Sequence, residues 1–295
     1  MAVVGPTAAG KSDLAVDLAL RLGGEAINAD SMQLYRGMDI GTAKLTLAER
    51  RGVPHHLLDV WDITETASVA EYQRTARPLI DAMLARGTTP ILVGGSGLYV
   101  RAALDDLRFP GTDPGIRARL EAELAEAGPE ALHQRLKERD PVAAEAVLAS
   151  NGRRIVRALE VIELSGQPFS ATMPSYDALY DSVQIGVEVP RPVLDERIAL
   201  RVDRMWAAGF VEEVKALAAL GLPQGRTAGR ALGYAQVLRF LAGEWTEEQA
   251  RDETIRATRR FARRQQSWFR RDPRVHWLPF DAPDMVERSL ALVGA

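Results

Sequence analysis

Cysteine is absent from the 295 residues, which removes disulfides, thiolate nucleophiles and cysteine-based zinc sites together. Histidine is scarce: His55 and His56 are adjacent and His133 and His276 stand alone. No metal-ligand spacing results, so satisfied or surface positions are expected for all four. No apolar run approaches the roughly 20 residues of a helical membrane span, and the chain opens in a short strand rather than a charged and apolar leader. No membrane partner and a cytosolic location are therefore expected. The opening strand, residues 1–4, is so short that a few residues ahead of it are expected as well. Internal repeats and low-complexity stretches are also lacking, so the chemistry must come from oxygen, nitrogen and backbone groups.

What is present is ordinary for a globular chain: 46% hydrophobic and 26% charged residues, at a length that allows one large domain or a core with an inserted subdomain. The net charge of −3 hides an asymmetry. Residues 251–274 carry nine arginines against Asp252, Glu253 and Asp272, so this one segment is strongly basic and the rest of the chain acidic.

Strand and helix patterns alternate at the start. Ala2-Val3-Val4 leads into a glycine-rich turn and then a helix from Ser12 to Leu22, with Leu14, Leu18 and Leu22 on one stripe and Gly23-Gly24 as a stop. A second strand, 25–28, runs into Ala29-Asp30-Ser31; a third, 90–93, runs into Gly94-Gly95-Ser96-Gly97 and a helix over 98–104. This alternation predicts an α/β fold with a parallel sheet flanked by helices. Ligands then sit outside the C-terminal strand ends, so the loops at 5–12, 29–33 and 94–97 should face one crevice. From about Thr112 the character turns helical, with starts at Asp113-Pro114, Gly128-Pro129 and Asp140-Pro141, until an alternating strand over 183–189 rejoins the sheet. The expected organisation is a core of 1–111 and 183–295 carrying a helical insertion, 112–182, with long amphipathic helices running to Arg271.

Gly5-Pro6-Thr7-Ala8-Ala9-Gly10-Lys11-Ser12 fits G-x-x-x-x-G-K-[ST] directly after a strand and before a helix, the context that the motif requires. Its backbone N–H groups would cradle phosphate, Lys11 would meet the terminal phosphate, and the Ser12 hydroxyl would ligate Mg²⁺. The strand over 90–93 ends in glycines and a serine, not in the second acid that hydrolysing motors use, so the loop reads as a pyrophosphate holder. Asp30 is either a Mg²⁺ ligand, a general base, or the cap of the next turn. Ser96 suits either a hydrogen bond to a leaving-group oxygen or a tight turn. On a helix over 255–271, Arg256, Arg259, Arg260, Arg263, Arg264, Arg270 and Arg271 fall in one half, with Ile255, Phe261, Ala262, Trp268 and Phe269 in the other. A one-sided arginine ridge on an acidic protein favours a polyanion, and Arg153, Arg154 and Arg157 form a smaller basic cluster in the insertion.

With Asn28 to Lys44, Gly94 to Tyr99, Arg157 to Val161, Arg197 to Asp203, Ala231 to Tyr234 and Arg263 to Arg270, the phosphate loop resembles the bacterial tRNA dimethylallyltransferases of the IPP transferase family, over nearly the whole chain. The resemblance implies a P-loop, nucleotide-binding core. It also implies transfer of a dimethylallyl group from dimethylallyl diphosphate to N6 of adenosine 37, on the 3′ side of the tRNA anticodon. It implies Asp30 as general base on N6 and Ser96 at the bridging oxygen, with Lys11, Arg201 and Mg²⁺ on Ser12 around the departing pyrophosphate. Asp30, Ser31, Met32, Gln33, Ser96, Arg117, Arg153, Arg154, Ile155, Val156 and Arg157 would meet the tRNA anticodon stem-loop, joined by the ridge residues Arg263 and Arg264. A monomer is expected. Ser96 stands where the family more often has Thr, and Arg153 where Gln is expected. The phosphate loop by itself also fits a small-molecule kinase or ATPase, or a prenyltransferase acting on free AMP or ATP; a non-catalytic RNA-binding module is a third alternative.

Overall fold

The computed structural model describes residues 1–172 and 177–294. Six strands, β1 (Ala2–Val4), β2 (Glu25–Asn28), β3 (His55–His56), β4 (Pro90–Gly94), β5 (Gln184–Glu188) and β6 (Val275–Pro279), pair in parallel in the order β3-β2-β4-β1-β5-β6. In chain order, the helices are α1 (Lys11–Leu22), α2 (Val69–Ala85), α3 (Gly97–Leu104), α4 (Pro114–Arg139), α5 (Pro141–Ala146), α6 (Gly152–Ser165), α7 (Arg191–Ala207), α8 (Phe210–Ala219), α9 (Tyr234–Leu241), α10 (Glu247–Phe269) and α11 (Met285–Val293).

The chain divides into two compact units, Met1–Leu104 with Tyr180–Ala295, and Asp105–Leu179. The expected boundaries were 112 and 182; residues 105–111 instead go with the helical unit and 180–182 with the sheet unit. A short neck explains the shift. Asp105 forms an antiparallel bridge with Ala178, and the Asp106 N–H donates to the Asp177 carbonyl at 2.8 Å, closing the helical unit on itself. Residues 173–176 of the expected insertion lie outside the described residues.

In the sheet unit, β1 is wholly buried, as an inner parallel strand with helices on both faces must be. α1 lays Leu14, Ala15, Leu18 and Ala19 against this strand layer, joined by Ile185, Val187, Leu194 and Ile198 from the second half of the chain. Register decides what the strand ends do. Val4 lies opposite both Gly94 and Gly186, and Asn28 opposite Val93, so β2, β4 and β1 finish level with one another and their loops emerge side by side. The sequence reading placed these three strands, β5, α1 and α3 to within about a residue. It did not anticipate β3, which is only two residues long, α2, α11, or the sixth strand after the arginine-rich helix.

The helical unit has its own core of Leu120, Leu132, Leu136, Ala143, Val147, Ile155, Val156 and Leu159. Its helix starts are held by side-chain caps: Asp113 Oδ1 accepts from the Ile116 N–H at 2.9 Å, Asp140 Oδ1 from Ala143 at 3.0 Å, and Asn151 Oδ1 from Arg154 at 3.2 Å. Gly128 interrupts α4 with φ 80° and ψ 168°, just before Pro129, where a new helix start was expected.

Candidate active site

The loop after β1 curls through three residues with positive φ, Gly5 (133°), Ala8 (62°) and Gly10 (96°). It feeds directly into α1, whose N-cap is Gly10 and which has no side-chain cap, so its first amides are left for an anion. Lys11 Nζ crosses back to donate to the Pro6 carbonyl at 2.6 Å. Burial and then the neighbouring Arg201 guanidinium push its pKa down to about 8, against an upward pull from Asp30. Arg201 comes from α7 and donates to Thr7 Oγ1 at 3.5 Å; burial lowers its pKa too, while Asp30 and Asp13 oppose that. Two crowded, desolvated cations beside the uncapped start of α1 are a site waiting for anionic oxygen.

The next strand tip is built by its own side chains. Asn28 Oδ1 accepts from the Asp30 N–H at 2.8 Å, and Asn28 Nδ2 donates to the Asp30 and Leu57 carbonyls at 3.0 and 2.9 Å. Asp30 Oδ1 accepts from the Met32 N–H at 2.9 Å, so the turn-capping reading of Asp30 holds for one carboxylate oxygen. The other makes no hydrogen bond among the described residues. Ser96 lies beside it: its Oγ accepts from the Ser31 N–H at 3.1 Å and donates to Ser31 Oγ at 3.3 Å, and its N–H donates to the Ala29 carbonyl at 3.3 Å. Only glycine fits at position 94, because a Cβ there would lie 2.3 Å from the Ala29 carbonyl. The loops at 5–12, 29–33 and 94–97 therefore meet at the C-terminal strand ends, where one crevice is expected.

Sequence reasoning did not single out Gln265. It is 5% exposed on α10; its Oε1 accepts from the Thr7 N–H at 2.9 Å and its Nε2 donates to the Gly95 carbonyl at 3.0 Å. A helix reading that sorted only apolar from charged residues had no place for a buried amide. Glu213 on α8 was missed likewise: its carboxylate accepts from the N–H groups of Asp39, Ile40 and Gly41 at 3.1, 2.7 and 3.2 Å and from the Tyr234 hydroxyl at 2.6 Å. The loop it fixes accepts both hydrogen bonds of the Gln33 side-chain amide, at the Thr42 and Ala43 carbonyls (3.0 and 3.4 Å).

With that geometry in hand, residues 33–272 match the family model described as IPP transferase. The chain belongs to the IPP transferase family. It is 72% identical to the tRNA dimethylallyltransferase of Thermobifida fusca, over 99% of this chain and 93% of that one, and 73% identical to the enzyme of the same name from Streptomyces coelicolor, over 97% and 92%. Among solved structures it is similar to the tRNA isopentenylpyrophosphate transferase of Bacillus halodurans, at 42% identity and a TM-score of 0.74, covering 99% of this chain and 94% of that one. A eukaryotic dimethylallyltransferase acting on tRNA superposes with a TM-score of 0.85 at 25% identity, covering 99% and 78%.

Within this transferase, the residues expected to meet RNA divide by environment. Arg263 and Arg264 are exposed on α10 and have no carboxylate partner among the described residues; Arg264 lies over the Phe261 ring at 5.7 Å. Much of the expected ridge is instead paired: Arg256 and Arg260 with Glu253, Arg270 with Glu188, and Arg259 with the Asp195 carbonyl. The buried face of the helix is Ala250, Thr254, Ala257, Ala262, Gln265 and Phe269; Trp268, expected inside, is 42% exposed. Its indole packs where a Cβ on Gly97 would sit, at 2.1 Å, so one edge of the ring covers the start of α3.

In the helical unit, Arg153 and Arg154 are exposed. Arg117 and Arg157 both donate to the fully buried Glu160, at 2.5 and 2.9 Å. Ile155 and Val156 correct an expectation: they are 0% and 3% exposed and pack in the unit's core, so their side chains offer RNA no surface. The histidines are satisfied or exposed, as expected: His55 faces the Val53 carbonyl at 2.9 Å, His56 pairs with Glu25 at 2.7 Å, His133 faces the Ala144 and Val147 carbonyls, and His276 is exposed. Among the described residues no helix is long and apolar enough to cross a membrane.

Proposed function

We propose that the protein transfers a dimethylallyl group from dimethylallyl diphosphate to N6 of adenosine 37 in tRNA and releases pyrophosphate. One observation carries this reading: a carboxylate (Asp30), a hydroxyl (Ser96) and a phosphate cradle with two cations (Lys11, Arg201) converge at adjacent strand ends. The exocyclic amine of adenine is a weak nucleophile, and an allylic carbon on diphosphate reacts only as the leaving group's charge is stabilised. The two needs fall to opposite sides of the crevice. The C–O bond to the diphosphate breaks as the N6–C bond forms. The N6 proton passes to Asp30, and Ser96 donates to the bridging oxygen. The cradle amides that open α1, Lys11 and Arg201 take the charge that builds on pyrophosphate.

Mg²⁺ fits this set. Ser12 Oγ stands on the first turn of α1 and makes no hydrogen bond among the described residues, and no group of three or more His, Asp or Glu capable of holding a metal occurs among them. Ser12 would hold the ion together with oxygens of the bound diphosphate, as the hydroxyl of such a loop does. When bound, it supplies further neutralisation of the phosphate charge.

On the RNA side, Asp30 to Gln33 and Ser96 line the target base, while Arg263, Arg264, Arg153 and Arg154 meet the backbone; Arg117 and Arg157, expected beside them, are held by Glu160 and act by shaping that unit. Since N6 cannot be attacked within a stacked loop, the adenine is extruded into the crevice. The deciding experiment incubates the protein with dimethylallyl diphosphate, Mg²⁺ and unmodified tRNA and analyses the nucleosides by mass, with ATP turnover in parallel. N6-isopentenyladenosine at position 37 is expected; ATP-driven phosphorylation with unaltered tRNA would overturn the proposal.

A further inference from the structure

The residue joining the two halves of the crevice is not one of the reacting groups. We infer that Gln265 is a positioning residue that holds the diphosphate loop in register with the Ser96 loop, an inference that rests on the reaction proposed above. Its single amide accepts from the Thr7 N–H at 2.9 Å and donates to the Gly95 carbonyl at 3.0 Å. Thr7 neighbours Pro6, the carbonyl partner of Lys11, and accepts from Arg201; Gly95 directly precedes Ser96. The side chain thus spans from the groups that hold the leaving pyrophosphate to the hydroxyl assigned to its bridging oxygen.

Three features point to a dedicated spacer. First, of the side chains close in size to glutamine, a carboxylate, thioether or isobutyl group cannot both accept from one backbone and donate to another. Second, Gln265 is 5% exposed, so losing its donated bond strands the buried Gly95 carbonyl and losing the accepted one frees the half-buried Thr7 N–H. Third, the fit leaves no slack: a Cβ on Gly95 would lie 2.2 Å from Gln265 Nε2 and 3.2 Å from the Gly5 carbonyl, and one on Gly97 would strike Trp268, a turn further along the same helix. α10 is therefore pressed against the loop that carries Ser96, while its exposed side presents Arg263 and Arg264.

Two variants test the inference. Gln265→Leu keeps volume and removes both hydrogen bonds; Gln265→Glu keeps the acceptor for Thr7 and removes the donor to Gly95. Small misplacement of reacting groups costs about 10² in rate, so Gln265→Leu is expected to lower kcat per titrated active site by roughly that factor while KM for tRNA and for dimethylallyl diphosphate moves less than about threefold. Gln265→Glu should fall between it and the wild type. A purely structural role would lower the active fraction instead and leave kcat per site unchanged, and that result overturns the inference. Hydrogen exchange at the Thr7 amide reads the lock without reference to the reaction: protection should be lost in Gln265→Leu and kept in Gln265→Glu. Equal protection in wild type and Gln265→Leu would overturn the inference whether or not the wild type prenylates tRNA. If Gln265→Leu fails to fold, Gln265→Glu decides alone: a kcat loss of about tenfold or more with KM values held supports the spacer, and an unchanged kcat removes it.

Discussion

The cations between the helices of the helical unit and those at the phosphate loop and outer face of α10 in the sheet unit are used differently. In the helical unit, Arg117 and Arg157 converge on the buried Glu160, and Arg135 bridges Glu123 and Glu163 at 2.5 Å each. These cations are tied to carboxylates: Arg117 and Arg135 hold α4 to α6, and Arg157 holds the Pro110 and Gly111 carbonyls to α6. Among the described residues, Lys11 and Arg201 at the phosphate loop have only neutral oxygens as hydrogen-bond partners, the Pro6 carbonyl and the Thr7 hydroxyl, and on α10 Arg263 and Arg264 have no carboxylate partner. A cation denied a carboxylate, and desolvated enough to lose basicity, retains unsatisfied charge for a ligand. Pairing, more than the number of basic residues, separates structural cations from phosphate-binding ones.

The largest expected effects attack each side of that contrast at its anchor. Asp30→Ala should leave tRNA affinity nearly intact and cut turnover by about 10² to 10⁴, the usual worth of a general base. Single-turnover kinetics on saturating tRNA check this, and a near-normal rate removes Asp30 from that role. Glu160→Ala should do the reverse. Leaving two guanidinium groups and the Asp113 N–H without their acceptor should destabilise the helical unit by about 2 to 3 kcal/mol, read by denaturant titration or local hydrogen exchange. Burial pushes the Glu160 pKa up, but its bonds to Arg117, Arg157 and the Asp113 N–H win and leave it below the ordinary value. A depressed carboxylate contributes stability that is present above its unfolded pKa and lost as pH falls through the folded one, so the same unit should loosen first in acid.

How far this contrast is visible in the bare sequence follows from how local each signal is. The phosphate loop, the ends of β1, β2 and β4, and the cap residues Asp113 and Asp140 are read within a few positions, because turn chemistry and apolar runs are local. β3 is missed because two residues carry no periodicity. Gln265 and Glu213 are missed because their meaning lies in partners 170 to 258 and 172 to 174 positions away. Ile155 and Val156 are misplaced because a family motif marks a stretch of chain without saying which of its side chains face inward. The arginine ridge is overcounted for a related reason: Glu188 neutralises Arg270 and the Asp195 carbonyl engages Arg259 from strand and helix positions that a helical wheel does not contain.

The smaller predictions sharpen the contrast where charge is free. Replacing both Arg263 and Arg264 with Ala should weaken tRNA binding about tenfold at moderate salt and make the dependence of log affinity on log salt shallower by roughly 1.4 to 1.8, the contribution of two phosphate contacts. An unchanged slope would place the RNA elsewhere. The mildest test concerns Lys11. With a pKa of about 8 it is mostly charged at pH 7 and mostly neutral at pH 9, so the free protein's affinity for inorganic pyrophosphate should fall severalfold across that interval. The ligand's own ionisation becomes more complete over the same range and acts the other way, so a fall identifies the protein group. Lys11→Arg, whose guanidinium does not deprotonate, should flatten the profile. Stability must move oppositely: a lysine that binds its proton more weakly folded than unfolded makes the ligand-free protein more stable as pH rises from about 8 towards the unfolded value near 10.4. Weaker pyrophosphate binding with a firmer fold over one pH interval is the signature of a cation held against its own preference, and parallel losses of both would show that Lys11 is not desolvated at the cradle.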